Sequence, residues 1–64
     1  MEKIEKVKIA ELTRMYRAKK KLTQWQLAEE TGVLQRQISF LENEEFNKIS
    51  NEKILAVWRV VCRM

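Results

Sequence analysis

Proline is absent from these 64 residues, glycine and cysteine occur once each, and there is no histidine. With so few turn-forming residues the chain is ill suited to a β sandwich, and a hydrophobic share of 45% excludes a disordered tail. A small helical bundle is the economical alternative. Cys62 has no second cysteine to pair with, so no intramolecular disulfide is possible and a reducing cytoplasm is the expected setting. Without histidine, a metal-binding cysteine pair, a glycine-rich phosphate loop or an isolated carboxylate pair, neither catalysis nor a cofactor is expected. No apolar run approaches the roughly 18–20 residues of a membrane span, and no signal-peptide pattern opens the chain. The length makes one domain, residues 1–64, near the lower limit of independent stability.

What is present is charge, unevenly placed. Residues 1–22 carry eight Lys/Arg against three Glu, a net of +5. Residues 23–47 set Arg36 alone against Glu29, Glu30, Glu42, Glu44 and Glu45, a net of −4, and residues 48–64 return to +3. The overall +4 is a mild argument for a polyanionic partner, although the middle of the chain is acidic.

That middle stretch, Leu22–Asn43, reads as two short helices joined by a tight turn. Thr23 to Gln26 is a T-x-x-Q capping box that starts the first of them. Leu27 and Ala28 share one face, and the small Ala28 lets another helix cross closely. Gly32 can adopt positive φ and ends the helix. Val33, Ile38 and Leu41 then supply the apolar face of the next. In this register Leu22-Thr23-Gln24, Leu27-Ala28, Gly32-Val33, Ile38-Ser39 and Leu41-Glu42-Asn43, with Arg17 upstream, resemble the DNA-binding domain of the lambdoid phage repressor and Cro family. The resemblance implies an all-α, compact four-helix domain of the lambda-repressor type, lacking the family's fifth helix. Helices are expected at about 6–19, 24–31, 34–42 and 51–63, with the motif over about 23–43.

Before the motif, the spacing of Glu2 and Lys6 favours helix, Ile4 and Val7 lie three apart, and Val7-Lys8-Ile9 suits a short strand equally well. Ile9, Leu12 and Tyr16 form a helical stripe that Met15 widens. The resemblance pairs Arg17 with Glu42, locking the first helix to the third; a solvent-facing arginine is the alternative. Lys19, Lys20 and Lys21 complement the negative end of the first helix. By resemblance they also approach the DNA backbone, together with Thr23, Gln24, Asn43 and Lys48. Trp25 departs from the family pattern, and is expected to pack on the N-terminal extension or on lysine stems, or to meet a partner.

With Val33, Ile38 and Leu41 turned inward, Gln35, Arg36, Gln37 and Phe40 are left on the outer face of the third helix. Glutamine matches adenine, arginine matches guanine, and an aromatic group can meet the thymine methyl. Three long polar side chains in a row are equally an ordinary solvated helix face, and it is the resemblance that implies base reading. Stacking of Phe40 on Phe46 is the alternative. Leu34 stands where the family has a capping Ser or Thr, and Glu44 stands where it has glycine, which forces a carboxylate residue toward a left-handed backbone. In the last helix Ile54, Leu55, Val57, Trp58 and Val61 are core candidates. Val60, Cys62 and Met64 fall on a second face, which suggests association through the exposed part of Val57–Met64.

The expectation is a sequence-specific regulator of double-stranded DNA, prokaryotic or phage-encoded and cytoplasmic, binding a palindromic operator as a homodimer. The alternative is a protein-interaction module of the same fold, binding a host factor through Trp25, Phe40, Glu44 and Glu45 with little affinity for DNA. No membrane partner is expected.

Overall fold

The computed structural model describes residues 5–63. Ile9, Ala10, Thr13 and Tyr16 recur at i, i+1, i+4 and i+7 and are buried along one side of helix α1, Lys6–Lys20. Thr13 lies near the middle of this stripe, and its hydroxyl donates to the carbonyl of Ile9 at 2.7 Å. Met15, expected to widen the stripe, is 52% exposed instead. It sits one residue short of Tyr16, about 100° round the helix, on the solvent side. The strand alternative for residues 7–9 is not realised, and no strand occurs among the described residues. The expectations placed on Glu2, Ile4 and Met64 lie outside them.

Helix α2 spans Gln24–Thr31, α3 spans Gln35–Glu42, and α4 spans Asn51–Val61. A single 3₁₀ turn, Phe46–Lys48, precedes α4 and delivers Ile49 into the core. Helix α3 packs on α2 and α1, while α4 packs chiefly on α1. The core joins Ile9, Ala10 and Tyr16 to Leu27, Ala28, Val33, Ile38, Leu41, Ile49, Ile54, Val57 and Val61. Among the described residues the fold is therefore all-helical, with four helices.

Two corrections concern α4. It ends at Val61 rather than 63, because the amides of Cys62 and Arg63 bond back to Trp58 and Val60 in a closing turn. Leu55 was expected beside Leu27, Ile38 and Leu41, but it is only half-buried and outside the cluster. The buried stripe is Ile54, Val57 and Val61, and Leu55 lies a residue round from it. Trp58 is half-buried and packs at the core's edge.

Three helices end on a left-handed residue, and only one of these is glycine. Gly32 closes α2 at φ 77°, its amide donating to Ala28 at 2.9 Å. A Cβ placed there meets nothing within 4 Å, so the backbone angle alone calls for glycine. Lys21 closes α1 at φ 57°, with the amide of Leu22 donating to Arg17 and that of Lys21 to Ala18. Glu44 closes α3 at φ 62° by the same pair of bonds, from Glu45 to Phe40 and from Glu44 to Leu41. These nested bonds form a Schellman motif that satisfies the last carbonyls of each helix.

Candidate nucleic-acid interface

The turn between α2 and α3 occupies residues 32–34, and each helix start is closed by side chains. Thr23 Oγ1 accepts from the amide of Gln26 at 3.1 Å, while Gln26 Oε1 accepts from the amide of Thr23 at 2.8 Å. Leu34 has no oxygen with which to cap α3. Gln37 closes that end from the other side, its Oε1 accepting from the Leu34 amide at 3.0 Å. The start of α3 is thus held despite the apolar residue at the capping position.

Helix α1 grips the far end of α3 at Glu42, whose side chain is 5% exposed. Arg17 meets it with two prongs, Nε to Oε2 at 2.7 Å and Nη2 to Oε1 at 2.8 Å. A third donor of Arg17, Nη1, reaches the carbonyl of Leu22 at 3.1 Å. The Glu42 hydrogen bonds raise the Arg17 pKa above its ordinary value; desolvation opposes them, and Coulombic attraction to the carboxylate adds to them. Arg14, one turn earlier, donates to the backbone carbonyl of Glu42. Arg14 and Arg17 are three apart and share one helical face, the signal in the sequence that pairs them at Glu42.

From Glu42 the polar chain continues outward. Gln24 Nε2 donates to Glu42 Oε1 at 3.0 Å, and Gln35 Nε2 donates to Gln24 Oε1 at 2.6 Å. Gln24, expected at a phosphate, thus has both amide ends engaged and orients Gln35. A glutamine amide carries two donors and one acceptor group. Among the described residues Gln35 uses one donor, which leaves one N–H and its Oε1 unused.

No protein-family model matches the chain, and no curated protein or solved structure shows detectable similarity to it. What the surface can do rests on its own residues. Arg36 is exposed and has no carboxylate partner among the described residues, even though this stretch is acidic. Gln37 is half-buried and holds the start of α3 with its oxygen, leaving its amide nitrogen available. Phe40 is half-buried against the core with the Lys48 ammonium 5.5 Å from its ring centre, so it stands at the margin of the outer face. Lys48 also approaches Glu45 at 3.6 Å. Phe46, its possible stacking partner, is likewise packed against the core.

The remaining predicted contacts surround this face. Lys19, Lys20 and Lys21 are exposed, with Lys20 lying 5.2 Å from the ring centre of Tyr16. The Tyr16 hydroxyl in turn donates to Glu30 at 2.8 Å, tying α1 to α2. Asn43 is exposed and Glu44 is exposed on its left-handed backbone. Trp25 is 70% exposed, which leaves little of it packed on lysine stems and accords with the alternative of a partner surface; residues 1–4 of the extension lie outside the described residues. It lines an open cleft with Leu34, Gln35 and Arg36, a grouping the sequence reading missed. Among the described residues no cluster is arranged to hold a metal ion, and no helix is long and apolar enough to cross a membrane.

Proposed function

We propose that this protein is a sequence-specific regulator of double-stranded DNA of the repressor or Cro type, which lays α3 in the major groove. The observation that carries the reading is the Glu42–Gln24–Gln35 chain. It fixes one amide on the outer face of α3 with one donor and one acceptor unused. Adenine presents the complement in the major groove, N7 as acceptor and N6 as donor. Arg36 beside it offers the planar fork that suits guanine O6 and N7, and Gln37 has a free amide nitrogen. Lys19, Lys20, Lys21, Thr23, Asn43 and Lys48 are assigned to phosphates, where cations and hydroxyls give affinity without sequence information. Gln24 is assigned to positioning Gln35.

The regulator is read as a homodimer on a palindromic site in a prokaryotic or phage cytoplasm, with half-sites one helical turn apart. Val57 and Val61 are fully buried within the domain, so pairing would draw on the half-buried Leu55, Trp58 and Val60. The exposed Trp25 and Leu34 favour a second reading, a module that docks a protein and binds little DNA. Gel retardation on random-sequence duplexes across a salt series separates the two. The regulator binds and loses affinity steeply as salt rises, whereas a docking module shows almost no binding even at low salt.

A further inference from the structure

The cleft formed by Trp25, Leu34, Gln35 and Arg36 joins two large exposed apolar side chains to an amide and a guanidinium. Trp25 is 70% exposed and Leu34 52%; Val7 and Met15 are exposed to a similar degree, but Trp25 and Leu34 are the two that line the cleft. Leu34 occupies a helix start where Ser, Thr, Asp or Asn is the favoured residue. Its side chain contributes nothing to that start, which Gln37 closes instead. Neither the core nor the helix end therefore accounts for an indole and an isobutyl group side by side at the surface.

We propose that this cleft is a thymine-reading notch: Trp25 and Leu34 enclose the C5 methyl of a thymine whose neighbour on the same strand is the guanine held by Arg36. The inference rests on the DNA-binding reading and deepens it. The thymine methyl is the one apolar group that base pairs of unmodified DNA display in the major groove. Adjacent bases on a strand stand about 3.4 Å apart along the helix axis. A guanidinium bonded to guanine and an apolar wall against the next base are thus compatible with one cleft that carries both. The cation also favours a polyanion over an apolar protein segment as the occupant, since Arg36 has no carboxylate to neutralise it among the described residues.

The test begins with selection of binding sites from a pool of random duplexes, using the full chain. Each thymine of the selected duplex is then replaced singly by deoxyuridine, which removes the methyl and keeps the base pairing. One thymine adjacent to a guanine should lose about fourfold in affinity on replacement, the effect expected for one buried methyl group. Trp25→Ala and Leu34→Ala should bind the thymine and deoxyuridine duplexes equally while retaining the helical circular dichroism of the parent. Both side chains are exposed, so the fold does not depend on them. A replacement series with no sensitive thymine, on DNA that is still bound selectively, overturns the notch and leaves the DNA-binding reading standing. So does a thymine preference that survives in both variants. Failure of any duplex to be enriched overturns both readings, and the cleft is then a protein-docking surface.

Discussion

Glu42 is the residue on which the polar architecture converges: Arg17 binds its carboxylate twice, Gln24 once, and Arg14 binds its carbonyl. Removing Arg17 leaves a carboxylate that is almost wholly buried with one amide donor. Arg17→Ala is therefore expected to lower stability by about 2–4 kcal/mol, discounted because the guanidinium retains some solvent contact. Urea denaturation checks this, and a change within about 0.5 kcal/mol would contradict a structural role for the pair. Gln24 supplies a different test. If it orients Gln35, Gln24→Ala weakens the selected duplex more than random duplexes; a phosphate ligand would weaken both alike. Arg36→Ala should cost about 1–3 kcal/mol on the selected duplex and relax preference at one base pair. Lys20→Ala should weaken all sequences alike and reduce the salt slope by about one unit. Competition titrations that give the same profile for Arg36→Ala and Lys20→Ala would remove base readout from Arg36.

At the level of elements, the scarcity of glycine has a structural consequence. Three helices need a left-handed residue at their ends, and glycine serves only at Gly32. Lys21 and Glu44 hold that conformation with a Cβ, at a penalty of about 1 kcal/mol each. Glu44→Gly should accordingly raise stability by up to about 1 kcal/mol, seen as a melting temperature higher by several degrees. It should also strengthen binding to random DNA, because it removes a carboxylate next to Asn43, which is assigned to a phosphate. A variant that is no more stable than the parent would mean that the Glu44 side chain makes compensating contacts. The need for φ > 0 at Glu44 was legible, because the residue occupies a turn position that the motif's resemblance reserves for glycine. Lys21 was not legible in this way. A run of three lysines reads as helix-end charge, and nothing in it marks which residue turns left-handed.

At the scale of the whole molecule, the open issue is how much surface remains for a second copy. Burial of Val57 and Val61 within the domain leaves a small apolar area on α4, so a dimer through this helix should be weak in the absence of DNA. Sedimentation is expected to show a concentration-dependent mixture at high micromolar protein, and a strict monomer would remove the basis for pairing through α4. The positions of the four helices, the turn at Gly32 and most of the core were determined by the sequence alone. Local spacing of apolar residues and the chemistry of Thr23–Gln26 and Gly32 depend only on neighbours along the chain. The tertiary structure decided the rest, because it depends on which residues meet across helices. It put Thr13 and Ala10 in the core in place of Met15, and it kept Ile54 there while leaving Leu55 outside, since the centre of a buried face is set by the helix packed against it. It turned Gln24 from a surface group into the link between Glu42 and Gln35. It also brought Trp25 and Leu34, nine positions apart in the chain, to one cleft, a meeting that only the crossing of α2 and α3 could arrange.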